Sequence, residues 1–312
     1  MACDLAMCPD STGMVGGELD LVGRLRLQQQ QWHNFSDDYY LDSNLRAPEW
    51  GRAVQLAPKI AIYWCAITLT VWLIRRQLYQ KALSSAGMQD DNWDKESVAQ
   101  MKFLQYRQTN LVVALCHSII TAVWSTTLLI RYREPVFYTR DGSIFFWNES
   151  VYQLPLLSIA YFLHDGLDML RHEKKSSKYC LELLAHHAAC IFLFTLGLVP
   201  RKFLPYIATC LVMEINSVCL HLRTLMKMGG GVHTNPGAFR LVHTLCLVTV
   251  VLFRLGVQMV HVYWLWKDWP QMHRCYLFCI SIGAMGFIYI NLLLFQRLLK
   301  SFWSPEKERV LD

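Results

Sequence analysis

Seven stretches of this sequence are long and apolar enough to cross a lipid bilayer: about 54–74, 109–130, 152–170, 180–199, 203–222, 239–265 and 275–299. A helix rising about 1.5 Å per residue needs roughly 20 residues to cover about 30 Å of hydrocarbon. Inside hydrocarbon every backbone N–H and C=O must be satisfied by the chain itself, so the stretches are read as helices. Composition agrees, because 54 % hydrophobic and 17 % charged residues depart from a soluble balance. The expected fold is all-α, a multi-pass transmembrane helical bundle of about seven spans. Lys59 leaves only Ile60 to Ile74 free of charge in the first stretch, so six spans is the alternative count.

The flanks read differently. Residues 1–52 have no sustained apolar period, carry QQQQW and the acidic NFSDDYYLD, and are expected to be a disordered extension. They show no basic segment followed by an apolar core, so no cleavable signal peptide is expected. The bundle is expected over 53–300, with 301–312 as a cytosolic tail carrying no prenylation or retrieval signal. Thirteen Lys and Arg lie in the loops of one face, around 75–107, 171–178 and 223–240, against seven in the loops of the other. The positive-inside rule makes the richer face cytosolic, with the N-terminus outside. The two Asn-x-Ser/Thr glycosylation candidates, Asn34 and Asn148, both fall on the expected outer side. The formal charge of +6 follows from the cytosolic bias and implies no nucleic-acid partner. Nine cysteines lie in apolar spans and read as small buried hydrophobes. Neither a disulfide framework nor a metal site is expected from them.

Ionisable residues inside the spans carry the functional signal. Measured from the basic ends of their helices, His117 lies roughly 15 Å deep, Asp165 roughly 9 Å, His186 roughly 12 Å and Glu214 roughly 13 Å. Four helices thus place polar groups in one layer. Charges at such depth cost about 2.5–3.5 kcal/mol each on insertion scales, so they face the bundle interior and take partners there. Glu182 and His186 are four apart on one helical face, which lets the carboxylate hold one ring nitrogen. His164 and Asp168 share that spacing. Adjacent His187 points about 100° away from His186 and looks into a neighbouring space. In the sixth span His243, Arg254 and His261 return to within about 20° of one line. Arg254 reads either as an anchor for a phosphate or carboxylate or as a helix-to-helix ion pair, with Glu214 as its candidate partner. An imidazole pair with carboxylates on three helices has the parts of an acid/base or nucleophilic site, and a purely structural polar layer is the alternative.

The run YFLHDGLDMLRHEKKSSKYCLELLAHH, followed by LVMEINSVCLHLRTLMK, resembles the TLC domain of translocon-associated proteins, ceramide synthases and a neuronal-ceroid protein. LVVALCHSIITAVW, VVLFRLGVQ and LLLFQRLLKSF are similar to the branch of TLC domain-containing proteins 1 and 2, the first also called calfacilitin. The resemblance covers roughly residues 100–304 and implies a multi-pass lipid protein. In ceramide synthases the histidine pair is catalytic in acyl transfer, and it corresponds to His186 and His187. Their Asp-x-x-Asp has no full counterpart here, where the chain reads Glu214-Ile215-Asn216. The branch is associated with the plasma membrane, the endoplasmic reticulum membrane being the alternative, and with phospholipid acyl composition and membrane fluidity.

The expected chemistry is acyl transfer from acyl-CoA or a phospholipid. His186, His187, Glu182, Asp165 and Glu214 are its candidate catalytic residues, and His117, His164, Asp168, Asn216 and Arg254 its candidate substrate contacts. No cofactor is expected, acyl-CoA entering as substrate. Membrane lipids and acyl chains are the expected partners, with homo-oligomerisation left open. The alternatives are a non-enzymatic lipid-binding or partner-modulating protein and a ceramide-synthase-like N-acyltransferase.

Overall fold

Long apolar runs without internal breakers become long helices. The computed structural model describes residues 50–85, 95–173 and 178–303. The main helices are α1 (Trp50–Ser85), α2 (Lys95–Arg131), α3 (Glu149–His172), α4 (Lys178–Leu198), α5 (Leu204–Val212), α6 (Glu214–Met228), α7 (Pro236–Thr249), α8 (Gly256–Asp268) and α9 (Arg274–Trp303). A π-helical turn, Val250–Leu255, joins α7 to α8, and α5 and α6 follow one another across Met213. All seven expected spans are therefore helical. Six of them are apolar and long enough to cross a membrane. The seventh is α3, of 24 residues, which carries His164, Asp165 and Asp168. Residues 1–49, with Asn34, and 304–312 lie outside the described residues, so the expected extension and tail fall almost wholly outside them; α9 runs on to Trp303.

Burial separates inner from outer helices. α3 packs against α1, α2, α4 and α5, while α2 also packs against α5 and α6. Only 6 % of the apolar windows of α1 and α9 is buried, against 56 % for the stretch spanning α5 and α6. Large apolar side chains such as Ile62, Trp72, Phe278, Met285 and Tyr289 consequently point outward, as side chains facing lipid do.

Two devices shape the end opposite the basic loops. The hairpin between α4 and α5 is tight, with Arg201 and Phe203 in the left-handed region at φ 55° and 60°. Lys202 N–H donates to Gly197 C=O at 3.0 Å and Phe203 N–H to Ile144 C=O at 2.7 Å. Ser143 Oγ and Tyr206 OH both donate to Asp268 Oδ2, at 2.6 and 3.1 Å, tying the turn Gly142–Phe145 to α5 and α8. Asn148 caps α3, its Oδ1 accepting from Ser150 N–H at 2.9 Å. Gly142 lies where a Cβ would overlap the Pro135 carbonyl oxygen and Thr139 Oγ1. Because backbone cannot swing aside, Gly142→Ala should destabilise the protein by about 1–3 kcal/mol, read as a lowered melting point in detergent.

Candidate functional site

Four helices meet at one level inside the bundle. α4 brings His186 and His187, α2 brings His117 and Ser118, α3 brings Asp165, and α6 brings Glu214 in its first turn. His187 Nδ1 stands 3.6 Å from Asp165 Oδ2, both side chains being buried. The Asn110 side chain is a hydrogen-bond partner of Asp165. Phe162, three residues before Asp165, lies flat against the His187 ring, with centroids 5.1 Å apart, and presents an edge to His117 at 5.6 Å. His117 in turn stacks on Tyr161 at 3.9 Å.

Glu214 is aimed by a tightened turn. Met213 N–H bonds back to Cys210 C=O, and Asn216 N–H to Met213 C=O, three residues apart rather than four. The carboxylate accepts from Ser118 Oγ at 2.6 Å and lies in electrostatic reach of His117, His186, His187 and Arg254. Among the described residues, Asp165 Oδ1, His117 Nε2, His186 Nδ1 and His187 Nδ1 are buried without a hydrogen-bond partner. Unpaired polar atoms are costly away from water, so this group of them is a candidate site for a bound ligand.

Three expected members stand elsewhere. Glu182 does not hold His186: its carboxylate makes a bidentate pair with Arg297 of α9, at 2.9 and 3.0 Å. A charged guanidinium fork outcompetes a neutral imidazole for a carboxylate. His186 Nε2 instead faces Cys190 Sγ at 3.7 Å, one turn further along α4. Asp168 does not hold His164 either, because Arg75 of α1 engages both of its oxygens and His172 Nδ1 approaches at 3.4 Å. His164 is buried in the field of Asp168, Arg75 and Arg171, on the basic side of the layer.

Among the described residues, Arg254 pairs with no carboxylate directly. It sits on the π-helical turn and donates to Asn216 Oδ1 at 2.7 Å, Asn291 Oδ1 at 3.1 Å and Ser217 Oγ at 2.8 Å. Asn216 Nδ2 reaches Cys246 C=O and Thr249 Oγ1, at 3.0 and 2.8 Å. The stripe on α7 and α8 is thus a ladder of interhelical bonds, with His243 Nε2 at 3.2 Å from Leu298 C=O and His261 Nε2 at 2.7 Å from Thr209 Oγ1. Of the expected substrate contacts, only His117 enters the cluster, while Arg254 and Asn216 adjoin it through the field of Glu214.

Sequence reasoning missed Ser118, Asn110, Cys190, Phe162 and Asn291. Cys190 follows His186 at the same i+4 spacing that suggested Glu182, and Asn291 is an isolated amide in an apolar helix; both signals were present. Beyond Phe287, whose ring meets the edge of His186 at 5.5 Å, a cavity of about 70 Å³ opens between α4, α5, α8 and α9.

Comparison with known families settles the class. The TLC domain matches residues 107–303, more than half of the chain. The chain belongs to the TLC-domain family. It is similar to TLC domain-containing protein 2 of Danio rerio, 29 % identical over 66 % of this chain and 81 % of that protein. TLC domain-containing protein 1 of Gallus gallus is 28 % identical over 64 % of this chain and 75 % of that protein. The TLC domain begins within α2 and ends with α9, so it contains every residue of the histidine cluster and leaves α1 outside.

Proposed function

We propose that this chain acts on membrane lipids, adjusting phospholipid acyl composition and hence membrane fluidity by acyl transfer at the histidine pair. The observation that supports this reading is His187 held against Asp165, with His186 beside it and Glu214 across the same layer. His186 attacks the acyl carbonyl of an acyl-CoA or phospholipid. The leaving thiolate or alkoxide departs with the imidazole proton, and the acyl-imidazole passes its chain to an acceptor hydroxyl or amine. His187 removes the acceptor's proton and returns it to the His186 ring as that ring leaves, and Asp165 orients the His187 ring and stabilises the imidazolium that forms. Glu214 orients the acceptor. We place the protein in the plasma membrane with its basic loops in the cytosol.

A second reading is lipid binding without turnover. It is favoured by the cavity, which is lined by Phe287 and by neither His186 nor His187. Purified protein in liposomes, given acyl-CoA or phospholipid labelled in the acyl chain, separates the two. Label moved by wild type and not by the double His186→Ala/His187→Ala variant supports transfer. Label bound by both and moved by neither leaves the binding reading standing alone.

A further inference from the structure

The cavity between α4, α5, α8 and α9 has its own chemistry. Leu193, Phe194, Ile280 and Phe287 make its wall apolar, and no Asp, Glu, Lys or Arg lines it. Its polar side chains are Tyr206, Gln258 and His261. Two of them are engaged in the bundle: Tyr206 OH donates to Asp268 at 3.1 Å, and His261 Nε2 is bound to Thr209 Oγ1 at 2.7 Å. Gln258 is 3 % exposed, and its Oε1 is buried with no hydrogen-bond partner among the described residues. Its Nε2 points at Met213 Sδ, 4.0 Å away, which leaves the carbonyl end as the free one. A buried amide acceptor in an apolar wall calls for a donor. An uncharged wall in turn disfavours carboxylate and phosphate, whose desolvation nothing there would offset.

We propose that this cavity binds an uncharged lipid through a hydroxyl or amide N–H that donates to Gln258 Oε1. The polar end and the first part of one chain occupy the cavity, and the remainder stays among the acyl chains of the bilayer. The inference does not rest on turnover at the histidines, since neither His186 nor His187 lines the cavity.

The test is photo-crosslinking of the purified full chain in lipid nanodiscs. The probe is a long-chain fatty alcohol with a diazirine near the hydroxyl and a terminal alkyne. Expected are saturable adducts on peptides from α4, α8 and α9, competed by the unlabelled alcohol. The methyl ether and the fatty acid of the same length should compete about five- to tenfold less well. Gln258→Leu should weaken saturable labelling by a similar factor, and Ala284→Phe, which fills the cavity, should abolish it. His187→Ala should retain the labelling, so loss of turnover and loss of this site are read separately. Equal competition by alcohol, ether and acid in the wild-type protein, or adducts confined to other helices, would overturn the proposal even if a variant fails to fold.

Discussion

Replacing His187 by alanine should lower acyl transfer in the reconstituted protein by about 10²–10⁴-fold, the range a positioned general base supplies. The ring has a carboxylate beside it, Asp165 at 3.6 Å, and Phe162 fixes its plane. Asp165→Asn keeps the shape and removes the charge that stabilises an imidazolium, so transfer should fall by a smaller factor, on the order of 10–10²-fold. Glu182→Gln should leave turnover close to wild type, because that carboxylate is committed to Arg297 on the flank of the bundle. Single-turnover rates with labelled donor, beside melting curves for each variant, check the order. Equal losses for His187→Ala and Glu182→Gln at matched stability would remove the Asp165–His187 pair from the mechanism.

Arg254→Leu should produce the largest loss of stability of any single change considered, about 2–5 kcal/mol. All three guanidinium nitrogens donate, and the acceptors lie on two other helices: Asn216 and Ser217 on α6 and Asn291 on α9. Leucine strands all three acceptors in a layer remote from water. Arg254→Lys keeps the charge but lacks the planar fork, so it should recover only part of the loss. Unfolding in mixed detergent micelles, followed by tryptophan emission, measures both. A loss below about 1 kcal/mol for the leucine variant would show that the amides of Asn216 and Asn291 find other partners.

The helical spans and the common depth of His117, Asp165, His186, His187 and Glu214 were legible from the chain, since depth follows from rise per residue and span alternation alone. The shared line of His243, Arg254 and His261 was legible from helical spacing, and His243 and His261 are both buried. Partnerships were not. Glu182 shares a face with His186, and Asp168 with His164, yet both acids are taken by arginines more than ninety residues away, Arg297 and Arg75.

The sequence by itself determined an all-helical membrane bundle of the TLC-domain family with a buried layer of imidazoles and acids, because hydrocarbon forces backbone groups to pair locally and periodicity then tells inside from outside. The tertiary structure alone decided that Asp165, not Glu182, stands beside a histidine, that Arg254 is tied up by amides, and that Gln258 faces an apolar cavity. Those outcomes depend on how each helix is rotated and how closely it approaches its neighbours. That is a property of side-chain packing among distant segments, which spacing along one helix does not encode.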